Sequence, residues 1–240
     1  MMLMAIDGNS LVNRAYYGVR MLNAPDDTPT NAIYGFLAIL RPLLEEYRPD
    51  ALAVAFDRRE PTFRHRACSF YKAQRKPMPE DLAVQMPVLK ELLDAMGVAR
   101  LELAGYEADD ILGTLSTRCE AAGDRCLLVT GDRDALQLVD GQVGVVHVVT
   151  RGGKSDHVLV TPEAFQEEYG FGPKYLVDLK ALMGDSSDNI PGVPGVGEKT
   201  ALDLVRRYGS LDGVYMCRLL VQIVTSCIIF AVKSCKTNEP

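Results

Sequence analysis

"LMAIDGN", residues 3–9, is a short apolar run that stops at an aspartate. The same design recurs in "DALAVAFD" (50–57) and "RCLLVTGDRD" (125–134). Apolar runs of this length are how strands read when both faces of a parallel sheet are covered, and an acid at each exit puts charge at the carboxyl edge. Helical spacing fills the gaps. "TNAIYGFLAILRPLLEEY" (30–47) predicts a helix with a kink or break at Pro42. "PEDLAVQMPVLKELLDAMG" (79–97) opens on proline and acids, closes on glycine and holds Pro87. "EADDILGTLSTRCEAAG" (107–123) starts acidic and ends at Gly123. Strands alternating with helices predict an α/β fold with a mainly parallel central sheet and a site outside the carboxyl ends of the strands. From about Thr161 the pattern turns helical, through "TPEAFQEEYG", "KYLVDLKALMGD" and "GEKTALDLVRRYG", with Thr161 as N-cap and Pro162 in the first turn.

The 240 residues suffice for one large domain, or a domain with an appendage. The start, "MMLMAIDGN", lacks a basic n-region, and Asp7 interrupts its apolar run, so no signal peptide is read there and a cytoplasmic location is expected. Cys68, Cys119, Cys126, Cys217, Cys227 and Cys235 form no C-x-x-C pair, which argues against a zinc ribbon or a disulfide framework. His65, His147 and His157 are scattered and suggest no metal centre. The net charge of −6 speaks against a nucleic-acid partner only until its distribution is considered. Seven Lys or Arg and one acid, Glu60, lie between Arg58 and Lys76, interleaved with Phe63, Phe70 and Tyr71. Such a segment reads either as a solvated charged loop or as a grip on a strand through phosphate charge and base stacking.

Nine acids stand at strand exits or helix starts: Asp7, Asp57, Glu107, Asp109, Asp110, Asp132, Asp134, Asp185 and Asp188. Singly, each has a structural explanation as an N-cap, a turn former or a partner of a helix dipole. Together they say more. If parallel strands deliver Asp7, Asp57 and Asp132 to one edge, with Glu107 and Asp110 at i, i+3 beside them, the like charges need cations. Hard divalent ions with oxygen ligands answer that need, and Mg²⁺ suits sparse carboxylates plus water and phosphate. Two such ions about 4 Å apart cleave phosphodiesters by in-line attack of water. Without those nine acids, 23 acids face 26 bases, so the negative balance belongs largely to the candidate metal site. "GDSSDNIPGVPGVGEKTA" (184–201) nearly spells a P-loop through Gly192, Gly197, Lys199 and Thr200, but Glu198 intervenes and no strand precedes Gly192.

"DGN" (7–9), "AFD" (55–57), "FRH" (63–65), "YKAQR" (71–75), "GYEADD" (105–110), "GDRD" (131–134) and the 184–201 stretch occur in the order found in one family. Over about residues 3–214 the chain resembles the 5′-nuclease domain of bacterial DNA polymerase I and the related flap endonucleases. The resemblance implies a PIN-like core over 1–160 with a helical arch at about 63–97. It also implies a helix-three-turn-helix DNA-binding lobe over 161–214 and an Mg²⁺-dependent 5′-3′ exonuclease and flap endonuclease activity in replication and repair. Carried over, Asp7, Asp57, Glu107 and Asp109 resemble ligands of a first Mg²⁺, with Mn²⁺ as a substitute. Asp109, Asp132, Asp134 and Asp185 resemble ligands or water-mediated partners of a second, with Asp110 and Asp188 further out. Lys72 and Arg75 match arch residues that reach the scissile phosphate. Tyr16 and Tyr17 match the position of base-stacking residues, and Arg64, Arg66 and Lys76 are assigned to DNA contact. Gly192, Gly195, Gly197, Lys199 and Thr200 match the hairpin that meets a DNA phosphate, in some relatives with a K⁺ on backbone carbonyls. The implied partner is branched, nicked or 5′-flap DNA, with a polymerase domain in the full-length relative and a monomeric chain. Residues 215–240 match nothing in that pattern. The 14 residues 219–232 are too short for a membrane span, and a native tail and a frameshifted or spliced end both remain open. Alternatives are a truncated, catalytically defective DNA-binding fragment and a PIN-type ribonuclease.

Overall fold

The computed structural model describes residues 1–151 and 154–217. Strand β1 (Met2–Asp7) leads into helices α1 (Gly8–Gly18) and α2 (Asn31–Tyr47), then β2 (Ala51–Ala55). Two short helices, α3 (Phe63–Ala67) and α4 (Glu80–Ala83), precede α5 (Gln85–Ala95), β3 (Ala99–Leu101), α6 (Ala108–Ala122) and β4 (Arg125–Thr130). After a 3-10 turn (Arg133–Leu138) come β5 (Val143–Arg151), β6 (Lys154–Val160) and α7 (Pro162–Tyr169). A second 3-10 turn (Pro173–Tyr175) leads to α8 (Leu176–Met183), the two-residue strands β7 (Gly184–Asp185) and β8 (Ile190–Pro191), and α9 (Glu198–Tyr208). Residues 211–217 are helical. The tail from 218 onward lies outside the described residues.

Six strands form one sheet in the order β3-β2-β1-β4-β5-β6. All neighbours are parallel except the β5–β6 hairpin. The chain moves outward from β1 to β3 and then crosses to β4 on the other side of β1, which opens a crevice at the carboxyl ends of β1 and β4. Alternation along the strands feeds two cores. Met4, Ile6, Leu127 and Val129 face α1, α2 and α5, whereas Ala5, Cys126 and Leu128 face α6 and the helices after residue 161. Phe165, Leu179, Leu182, Ala201 and Val205 belong to that second core, so α7, α8 and α9 share an interior with the sheet.

Several local expectations meet the structure directly. Thr161 caps α7 through its side chain, and Gly123 ends α6 at φ 73°. Pro42 does not break α2, which runs through it. The helix expected over 79–97 is split at Val84, because Pro87 has no N–H to donate back to Ala83 and removes the bond that would join the turns. The helical arch expected over about 63–97 is helical only at Phe63–Ala67 before α4. Residues 68–79 make turns and coil, and α4 and α5 bury Leu82, Leu89 and Leu93 against the sheet. Clustered cations and Pro77 and Pro79 explain the loss of helix there. Strands β3, β5 and β6 were not expected.

Helix α2 has no side-chain cap of its own. Gln85 of α5 supplies one from a distance: its Oε1 accepts from Ala32 N at 2.8 Å, and its Nε2 donates to Asn31 Oδ1 at 3.1 Å and Asp81 O at 2.8 Å. Both Gln85 and Asn31 are buried. Gln85→Leu leaves these groups unpaired in the core and is expected to cost about 3 kcal/mol in chemical denaturation. A loss under about 0.5 kcal/mol, within the range of ordinary surface substitutions, would show that solvent reaches the α2 start.

Candidate active site

Asp7 closes β1 and caps α1, its Oδ1 accepting from Ser10 N at 2.9 Å and its Oδ2 from Thr130 Oγ1 at 3.0 Å. Thr130 Oγ1 in turn accepts from Asp132 N at 3.0 Å, so the ends of β1 and β4 are tied through one buried hydroxyl. Asp57 follows β2. Its N–H donates to Asn9 Oδ1 at 2.9 Å and its Oδ1 accepts from Ala108 N at 2.7 Å, which pins it to the start of α6. Gly8 has to be glycine because a Cβ there would lie 2.4 Å from the Phe56 ring. The register β2-β1-β4 therefore sets Asp57, Asp7 and Asp132 side by side along the carboxyl edge.

Glu107 and Asp109 at the α6 start join Asp7, Asp57 and Asp132 around a cavity of about 190 Å³, which Lys72 and Arg75 also line. Glu107 and Asp109 face as well an adjoining groove of about 540 Å³ that reaches Asp134, Asp188 and Lys180. Asp185 lies on neither wall but is joined to Asp134 through Lys180, whose Nζ is 2.7 Å from each carboxylate. Among the described residues no three acidic, histidine or cysteine side chains stand in metal-holding positions. The carboxylates line the walls, and lysines and arginines are drawn in among them. Lys72 Nζ is 2.8 Å from Glu107 Oε1, Tyr71 donates its hydroxyl to Glu107 at 2.9 Å, and Arg75 reaches Asp188 at 2.9 Å. Arg64 forks onto Asp110 with two bonds of 2.7 Å, and Asp110 also accepts from Glu107 N.

The charge crowding shifts the titration of these acids. Burial, reinforced by Asp57 and Asp132, pushes Asp7 up to about 6 even though Ser10 and Thr130 hydrogen-bond its carboxylate. Asp109 keeps solvent contact, yet the protein packed about it and the charges of Asp7, Asp132 and Asp57 push it up too. Burial likewise raises Asp134 in spite of Lys180. Asp185 goes the other way: hydrogen bonds from Lys180 and Ser187 outweigh its burial and hold it well below the usual carboxylate range. Oxygen-only donors that repel one another in this way fit hard divalent cations.

The hairpin 184–197 connects this edge to α9. Asp185 Oδ1 accepts from Ser187 N at 2.8 Å at the head of the turn over 186–189. Gly192 is demanded by packing, since a Cβ would sit 2.3 Å from the Met183 carbonyl carbon. Gly195 (φ 80°) and Gly197 face open space, and Lys199 and Thr200 are exposed in the first turn of α9. Backbone bonds also tie the segment after α3 to this hairpin, Lys72 N donating to Asp188 O at 2.9 Å. Tyr17 is 73% exposed, whereas Tyr16 packs against the core of the α1 side; of the two, Tyr17 presents its ring to solvent, edge-on to Tyr16 at 5.0 Å. Arg66 and Lys76 are exposed, while Arg64 is committed to Asp110. Thr130 and Lys180 were missed at the level of sequence, and neither carries a local signal beyond its place beside "GDRD" or within "DLKALMGD".

Two family models match the chain, one described as "5'-3' exonuclease, N-terminal resolvase-like domain" over residues 2–170 and one as "5'-3' exonuclease, C-terminal SAM fold" over 171–227. DNA polymerase I of Bacillus subtilis is 46% identical over 210 residues, covering 88% of this chain and 24% of the relative. The chain thus spans about a quarter of the length of the curated relatives it matches. Among solved structures, the bacteriophage T5 flap endonuclease in a pseudo-enzyme–product complex with DNA and metal ions aligns with a TM-score of 0.70 at 23% identity. It covers 89% of this chain and 78% of that one. The T5 5′-exonuclease with bound zinc gives 0.68 at 24% identity, over 88% and 76%. At these identities the likeness is one of fold. Among the described residues no helix is long and apolar enough to cross a membrane.

Proposed function

The chain belongs to the 5′-3′ exonuclease family, and from that premise we propose that it is an Mg²⁺-dependent 5′ nuclease hydrolysing phosphodiesters in branched, nicked or 5′-flap DNA. The observation that carries this reading is the single cavity where Asp7, Asp57, Glu107, Asp109 and Asp132 meet beneath Lys72 and Arg75. For its domains we propose a catalytic core over 1–160, a DNA-binding lobe over 161–214 and a tail beyond. The chain acts as a cytoplasmic monomer, and in a full-length relative it would be joined to a polymerase domain.

Asp7, Asp57, Glu107 and Asp109 would hold one divalent ion, and Asp109, Asp132, Asp134 and Asp185 a second, with Asp110 and Asp188 outside them. Bound there, Mg²⁺ or Mn²⁺ supplies Lewis acidity and an acidified water. The chain's own residues do the rest. Lys72 and Arg75 turn from their carboxylates to the scissile phosphate and meet charge developing on its oxygens. Arg66 and Lys76 attract the backbone of the incoming strand. Tyr17 offers a stacking face for a terminal base. The free N–H groups at the start of α9, with Lys199 and Thr200, take a duplex phosphate, and the carbonyls of the 184–197 hairpin would hold a K⁺ that adds positive charge there. Hairpin 184–197 joins that grip to Asp185 and Asp188, which keeps the held duplex in register with the cut.

Purified protein is expected to cut a labelled 5′-flap DNA near the junction with Mg²⁺, to be inert in EDTA, and to leave single-stranded RNA intact. RNA cleavage would replace the reading with that of a ribonuclease. Inertness of a folded chain toward the flap would reduce it to a DNA-binding fragment.

A further inference from the structure

Lys180 projects from α8 and spans two layers of the molecule. Its partners are Asp134, from the 3-10 turn after β4, and Asp185, from the hairpin that leads to α9. We propose that Lys180 is a positioning residue whose ammonium stands in for a divalent cation, holding Asp134 and Asp185 in register in the metal-free protein, and that a second divalent ion binds only as this ammonium withdraws. The inference rests on the two-ion reading above.

Three features carry it. The ammonium touches both acids at 2.7 Å, so it occupies oxygens that a second ion would need. A divalent ion on those same oxygens would sit within a few ångströms of an unmoved ammonium, a repulsion strong enough to weaken binding markedly. The two ion sets also differ: Lys72 touches Glu107 alone among the first set, whereas Lys180 touches two members of the second. The second ion therefore meets the larger displacement and should bind more weakly. Finally, Lys180 has somewhere to go. It lines the groove of about 540 Å³ formed with Leu176, Val177 and Ile190, and its flexible stem can swing along that wall while α8 stays packed through Leu179 and Leu182.

The test is Mn²⁺ binding, followed by the electron-spin-resonance signal of the free ion, on the parent chain and on Lys180→Met, Lys180→Gln and Lys180→Arg. The parent should show a tight and a weak class. In the two neutral variants the tight class should persist and the weak class should tighten about tenfold, whereas Arg should restore the weak affinity. In EDTA the neutral variants should melt about 4 °C below the parent, with Arg close to it, and saturating Mn²⁺ should close the gap. An unchanged or weaker second class in both neutral variants overturns the proposal, as does Arg behaving like Met or a parent with one class only. Gln, which is polar and uncharged, preserves the test if Met does not fold. None of these readouts depends on cleavage, so failure here is distinct from failure of the flap-DNA assay.

Discussion

Asp7→Asn is expected to give a chain that melts later than its parent in EDTA at pH 8 and no longer cuts DNA. The sign follows from the raised titration of Asp7, from an ordinary value near 3.8 to about 6. Below pH 4 folded and unfolded chains both carry the proton, and the site costs nothing. Between about pH 4 and 6 the unfolded chain ionises while the folded one holds its proton, so stability drains as pH rises. Above 6 the loss is complete, at about 3 kcal/mol for a shift of this size. Asparagine keeps an oxygen to accept from Ser10 N, so the cap of α1 survives while the charge goes. The stability gap between variant and parent should therefore be absent near pH 4 and widest above pH 6. Cleavage should fall on the order of 10³-fold, because a charged ligand at the centre of the cavity is lost. Melting curves in EDTA from pH 4 to 8, with a flap-cleavage assay, check both halves. A variant less stable than its parent at pH 8, or a gap that ignores pH, would disprove the repulsion account.

The second large effect belongs to Lys72. Its side chain is 11% exposed and its φ of 53° is a left-handed conformation that lysine rarely adopts, held by the bond from its N–H to Asp188. A strained backbone that aims an ammonium into a carboxylate cavity marks a residue placed for its charge. Lys72→Ala should lower kcat on the order of 10²–10³-fold with a much smaller change in KM, as expected of a contact made to charge that appears in the transition state. It should also cost about 2 kcal/mol in EDTA, since Glu107 stays buried without its close cation, left with the Tyr71 hydroxyl and Arg64 at 3.9 Å, and Mg²⁺ should return much of that loss. Arg75, half exposed and paired with Asp188, should show the smaller rate effect when replaced by alanine. If Lys72→Ala raised KM with kcat intact, Lys72 would be a binding residue and not part of the chemistry.

Much of this site is visible in the linear chain because its acids sit where local rules place them. Asp7, Asp57 and Asp132 each end a buried apolar run, and an apolar run in a parallel sheet has one carboxyl edge. Glu107 to Asp110 open a helix that Gly123 closes. Those features need only propensity and burial. The split at Val84 was harder, since the 79–97 stretch read as one helix with Pro87 inside, while its missing N–H unjoins α4 from α5. Strands β5 and β6 went unread because "VGVVHVVT" and its partner lack the terminal acid that marked the other three. Tyr16 and Tyr17 are neighbours with equal claims in sequence, and only packing of α1 sends one inward.

What the sequence alone determined was the alternation of strand and helix, the acidic exits and the family pattern, because each is written within a dozen residues and obeys periods of two and 3.6. What tertiary structure decided was which charges meet. Lys180 is far from Asp134 in the chain, Arg64 from Asp110, and Lys72 from Glu107, yet each pair is in contact. Ion pairing falls off with distance in space and is blind to separation along the chain. It can be read only once the sheet has set β2, β1 and β4 side by side and α8 has been laid against them.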